Sequence, residues 1–119
     1  MLNFQFRFRS AQRDRECDRA RLTRFHQTVR SAITDADREL NGLRARLEKA
    51  RQSAAMLLGN MESGDHNEGH DSKMRSVEER LLVAENRIVQ LKEHLAALQR
   101  IASAVDLELN RNDLSPAAT

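Results

Sequence analysis

The side chains best suited to chemistry lie in one short stretch, Asp65-His66-Asn67-Glu68-Gly69-His70-Asp71. Imidazole and carboxylate are ordinary zinc ligands, and a His-x-x-x-His pair binds the ion well when a helix aims both rings the same way. His66 and His70 have that spacing. A loop setting with Gly69 between them removes the preorganisation, and no Cys is near. The expectation is a hydrophilic loop, with His66 and His70 as weak metal candidates and no cofactor. Cys17 is the only cysteine, so no intrachain disulfide forms. Nearby Arg residues would favour its thiolate, while Glu16 and Asp18 oppose it, and it reads as inert. His26 and His94 stand alone and read as surface residues. The chain contains no Gly-rich phosphate loop, no nucleophile beside a base and no paired carboxylates, a pattern that points away from an enzyme.

The elements around that stretch are helical. From Met74, apolar residues fall at Val77, Leu81, Ala84, Ile88, Leu91, Leu95, Leu98, Ala102, Val105 and Leu109. Steps of 3 and 4 alternate without a miss, the heptad grammar of a left-handed coiled coil. Asp71 or Ser72 can cap this helix, Ser76 and Glu79 offer a second capping box, and Pro116 lies beyond its end. Ile33, Ala36, Leu40, Leu43, Leu47, Ala50, Ala54, Leu57 and Met61 repeat the pattern upstream. Leu22, Phe25 and Val29 extend it, but the step from Val29 to Ile33 is 4 where 3 is due. Such a stutter unwinds a supercoil locally, and Thr34 with Asp37 in capping spacing leaves a break near residues 30–35 open. Asn41-Gly42 resembles a turn, yet the leucines keep phase across it, so Gly42 reads as an exposed helical glycine costing about 1 kcal/mol.

The predicted organisation is a segment at 1–9, a helix at 10–59, a Gly-rich loop at 60–71, a helix at 72–112 and a frayed tail at 113–119. Folding back about the loop gives an all-α, antiparallel two-helix coiled-coil hairpin. Facing core residues then have numbers adding to 131, as in Leu40–Leu91, Ala36–Leu95 and Leu47–Ala84. In this register the e positions oppose one another as Arg51–Glu78, Arg44–Glu85 and Asp37–Lys92, each of opposite sign. The other flank, with Arg46 near Arg80 and Arg87, and Glu39 near Arg87 and His94, is mixed. Charge agrees with the fold: residues 1–59 sum to +6 and residues 60–119 to −4.

Three surfaces stand out. The segment Leu2-Asn3-Phe4-Gln5-Phe6-Arg7-Phe8-Arg9 alternates like a strand, or continues the helix with Phe4, Phe8 and Ala11 on one face. Phe4, Phe6 and Phe8 beside Arg7 and Arg9, with Arg13, Arg15 and Arg19 following, mark a docking site for a protein partner. Residues 7–30 carry eight Arg, including Arg13, Arg15 and Arg19, against Asp14, Glu16 and Asp18. Such a helix neutralises phosphates, so nucleic-acid binding is the alternative function, although interleaved acids suit a solvated helix. Leu82, Val89 and Ala96 form a stripe with heptad spacing outside the seam, where dimerisation into a four-helix bundle would place another helix.

Charged residues are 32% of the chain, Trp and Tyr are absent, and no apolar run approaches the length of a membrane span. A cytoplasmic protein without membrane insertion is expected. In outline, by size, heptads and an unpaired basic terminus, the chain resembles the short coiled-coil hairpin stalk proteins of flagellar and type III export machines, though it carries no specific motif of theirs. The resemblance implies a non-enzymatic interaction role as adaptor, chaperone or structural stalk.

Overall fold

The computed structural model describes residues 2–62 and 68–114, with backbone alone at 2–9, 61, 62, 68 and 112–114. Two helices account for all of them: α1, Leu2–Glu62, and α2, Glu68–Leu114. The described chain is an all-α helical hairpin. Its packing divides into two units, residues 1–34 with 96–119, and residues 35–95.

In the unit of residues 35–95, the seam predicted from the heptads is the buried line. Ala36, Leu40, Leu47, Val77, Ile88, Leu91 and Leu95 are buried, and Leu91 is only 1% exposed. Leu43, Ala50, Ala54, Leu57, Met74, Leu81 and Ala84 are half-buried, so the seam loosens toward the bend. Two helices meet along one line, and the layers with Ala on one side have less apolar surface to cover. Gly42 is helical and exposed, and a Cβ added there would meet nothing within 4 Å. α1 extends through Gly59 to Glu62, and α2 begins at Glu68, so the helices take in part of the predicted 60–71 loop.

The charged flanks differ from the expected pairs. Among the described residues, Arg51–Glu78, Arg44–Glu85 and Asp37–Lys92 form no ion pair; Arg51 Nη2 lies 3.8 Å from Glu85 Oε1 instead. The reason is the tilt of every Cα–Cβ bond toward its helix's N-terminus. In antiparallel helices, that tilt turns e residues offset toward their C-termini to face one another, as Arg51 and Glu85 are. Residues nearly level, such as Arg51 and Glu78, lean apart. On the mixed flank, Arg87 stands level with Arg46, a like charge, and its fork turns to Glu39. Arg87 Nε donates to Glu39 Oε2 at 2.8 Å and Nη2 donates to Oε1 at 3.2 Å.

In the other unit, Val29, Ala102 and Val105 are buried, while Leu22, Ile33, Leu98 and Leu109 are half-buried. Phe25 is 52% exposed and does not belong to the seam. His26 takes that place. Leu22, His26, Val29, Ile33 and Ala36 step 4, 3, 4, 3, so the stutter disappears and α1 runs unbroken through residues 30–35. Thr34 caps nothing: its hydroxyl donates to the Arg30 carbonyl at 3.1 Å, as Thr28 does to Arg24 at 3.0 Å, the i−4 pattern of a helix interior. His26 Nε2 is buried and lies 2.7 Å from Asp106 Oδ1, with the oxygen off the N–H axis, so the nitrogen gains no aligned hydrogen bond. The expectation of a surface histidine is thus overturned, because heptad phase and not polarity decides which residue faces the partner helix.

Two substitutions probe this packing. Leu91→Ala should lower stability by about 2–5 kcal/mol, read by thermal or urea unfolding followed by circular dichroism. His26→Leu should raise it by about 1 kcal/mol, since an apolar side chain replaces a poorly satisfied nitrogen in the seam; an unfolding midpoint below wild type would contradict the seam position.

Candidate interaction surfaces

The residues singled out from the sequence divide by location. Leu2–Arg9 is helical, which removes the strand alternative; a helix satisfies its backbone groups without a second strand. The side chains of Phe4, Phe6, Arg7, Phe8 and Arg9 lie outside the described residues, as does His66. Residues 10–21 are exposed throughout, including Arg13, Arg15 and Arg19, and Arg21 pairs with Asp18 at 3.3 Å within the helix. Cys17 is exposed. His70 is half-buried in α2, and among the described residues no three His, Cys, Asp or Glu side chains converge as metal ligands. No described helix is long and apolar enough to cross a membrane.

The unit of residues 35–95 has two surfaces of distinct character. Leu82 and Val89, at heptad position b of α2, are 60% and 56% exposed. The third member of the predicted stripe, Ala96, belongs to the other unit and is half-buried. On the lattice of a helix, Leu82 and Val89 neighbour the residues three and four positions away. Those include Glu78, Glu79, Glu85 and Glu93 against one base, Lys92. The stripe is therefore an apolar line with acidic edges.

The second surface was not anticipated. A groove runs along the g side of the hairpin, as a cavity of about 730 Å³ continued by one of about 360 Å³, with Ser53, Ser76 and Arg80 lining both. Its floor is apolar, made by Leu43, Leu47, Ala50, Ala84, Leu57 and Val77. Small side chains open it: Ala50 and Ala84 sit in the seam, and Ser53 occupies a position where longer residues usually cover such a seam. Met56 and Val83 line it and are 72% and 69% exposed. Around the floor stand Arg46, Lys49, Lys73, Arg80 and Arg87 against a single acid, Glu79. The sequence signal for it was the run of small residues facing one another beside apolar c positions, which a search limited to a and d positions passes over.

The Glu39–Arg87 fork sits at one end of this groove. The hydrogen bond from Arg87 holds the Glu39 carboxyl below its ordinary value, with the positive charges of Arg87 and His94 acting the same way. Arg87 is shifted upward by the same hydrogen bond. A lowered carboxylate pKa contributes stability that is present above the unfolded value and is lost as pH falls through the folded one. Wild type and Glu39→Gln should therefore differ in unfolding midpoint at neutral pH and converge as the pH drops below about 4. A difference that persisted in acid would contradict the pair.

No protein-family model matches the chain, and no curated protein and no solved structure matches it either.

Proposed function

We propose that this protein is a non-enzymatic interaction module, an adaptor, chaperone or structural stalk that works in the cytoplasm by binding other proteins. The observation that carries the reading is the uncovered apolar surface on residues 35–95: Met56, Leu58, Leu82, Val83 and Val89 are all exposed beside a seam that needs none of them. A hairpin held only by its own core gains nothing from such residues, and apolar surface grouped in this way serves association. A lone exposed thiol suits a reducing compartment. The Phe- and Arg-rich residues 1–9 are the proposed contact for a foreign partner.

Nucleic-acid binding through α1 is the second reading, favoured by the exposure of Arg13, Arg24 and Arg30 on one basic stretch. The two separate in one experiment. The full-length chain and a version lacking residues 1–9 are used as baits, with nuclease treatment in parallel. A specific protein partner, retained after nuclease and lost with the deletion while helicity is unchanged, is the expected result. Capture of nucleic acid alone, falling steeply with salt and abolished by changing Arg13, Arg15, Arg19 and Arg21, would overturn it.

A further inference from the structure

We propose that the basic groove on residues 35–95 is the docking site for the acidic-edged Leu82/Val89 stripe of a second copy of the same chain. This deepens the interaction reading by naming the partner of one surface, and it does not depend on whether a foreign protein also binds.

The argument starts from charge. The groove presents five cations against one acid around an apolar floor, and the stripe presents four acids against one cation along an apolar line. Each has what the other lacks. Two stripes laid together would instead bring Glu78, Glu79, Glu85 and Glu93 against their own copies, and like charges across an interface disfavour it. Partial commitments exist: Glu85 contacts Arg51, Arg87 is forked with Glu39, and Glu79 also lines the groove. Arg46, Lys49, Lys73 and Arg80 remain for Glu78 and Glu93.

Dimensions agree. Along α1 the groove extends from Leu43 to Asn60, about 26 Å at 1.5 Å per residue. The stretch of α2 from Glu78 to Glu93 is about 22 Å long by the same measure. A third helix laid between two others buries its stripe on the floor and sets its acidic edges against the cationic rims, the arrangement by which coiled coils select partners. Leu43, Leu47 and Val83 would meet Leu82 and Val89 of the other copy.

One molecule cannot satisfy itself. Leu82 lies on the stripe and Val83 in the groove, adjacent on the same helix and so about 100° apart around it. Only another copy brings the two surfaces together. The floor also distinguishes this occupant from a polyanion: phosphates would use the Arg and Lys side chains but leave Met56, Val83 and the leucines uncovered, and the lining offers no aromatic ring for base stacking.

A surface that fits a different surface can be tested by mixing. Groove charge is reversed in Arg46→Glu/Arg80→Glu, and the stripe is removed in Leu82→Lys/Val89→Lys; all four residues are exposed, and circular dichroism checks the helicity of each variant. Sedimentation velocity on purified protein at low salt is expected to show concentration-dependent association of the wild type that weakens as salt rises. Each variant alone should associate roughly tenfold or more weakly. An equimolar mixture of the two should recover a 1:1 complex, because one partner keeps its stripe and the other its groove. A monomeric wild type, variants that associate like the wild type, or a mixture that stays monomeric would each overturn the proposal. So would a monomeric wild type that binds a single-stranded oligonucleotide through Arg46 and Arg80, which would assign the groove to phosphates instead. Loss of a foreign partner in the capture experiment leaves all these outcomes unaffected.

Discussion

Everything in this fold follows from a single line of contact between two helices. A helix pair has no interior to share beyond the residues that project along that line, so each position is worth what its heptad phase makes it. Where the layers hold two large aliphatics, as at Leu40 and Leu91, the side chains are buried. At Ala50 and Leu81 both members stay partly open, Ala84 and Ala54 are open on their own side of the seam, and the surface beside them becomes concave. The groove is the consequence of that thinning, with Ser53 and Ser76 adding to it.

The same constraint explains why electrostatics follows the backbone and does not lead it. Exposed ion pairs contribute ~0–1 kcal/mol each and cannot move a seam held by leucine and isoleucine. Arg51 meets Glu85 where the side-chain tilt turns the two toward each other, and Arg87, level with the like charge of Arg46, reaches back to Glu39. Charges left over on the two flanks are then available to outside partners. The g flank is strongly basic, whereas the e flank is balanced.

Much of this was legible in the residue order. The helical hairpin, its seam and the harmless placement of Gly42 could all be read from the alternation of 3 and 4. Two of the misreadings share one cause, which is judging a residue by its type before its phase. Phe25 was given a seam position because it is apolar, although Leu22, His26, Val29 and Ile33 keep the period and Phe25 does not. Thr34 and Asp37 resembled a cap because capping is what those residue types often do, yet a helix interior accommodates Thr through its i−4 carbonyl. The e-position pairs were matched by height alone, without the tilt of the Cα–Cβ bond. The groove lay beyond reach because it is a property of side chains from both helices at once.

The uneven seam also bears on how the hairpin closes. Layers near the bend require the shortest chain closure, but after Leu57–Met74 the next three, Ala54–Val77, Ala50–Leu81 and Leu47–Ala84, each contain an Ala and so have less apolar area. Layers at Leu40 and Leu91 lie some fifty residues apart along the chain and cost about 1 kcal/mol more in closure entropy than those adjoining the bend. They also hold Leu91, the most completely buried of the large side chains described. Zipping from the bend therefore gains least through those three layers and most on reaching Leu43–Ile88 and Leu40–Leu91, where the apolar area buried offsets the longer closure.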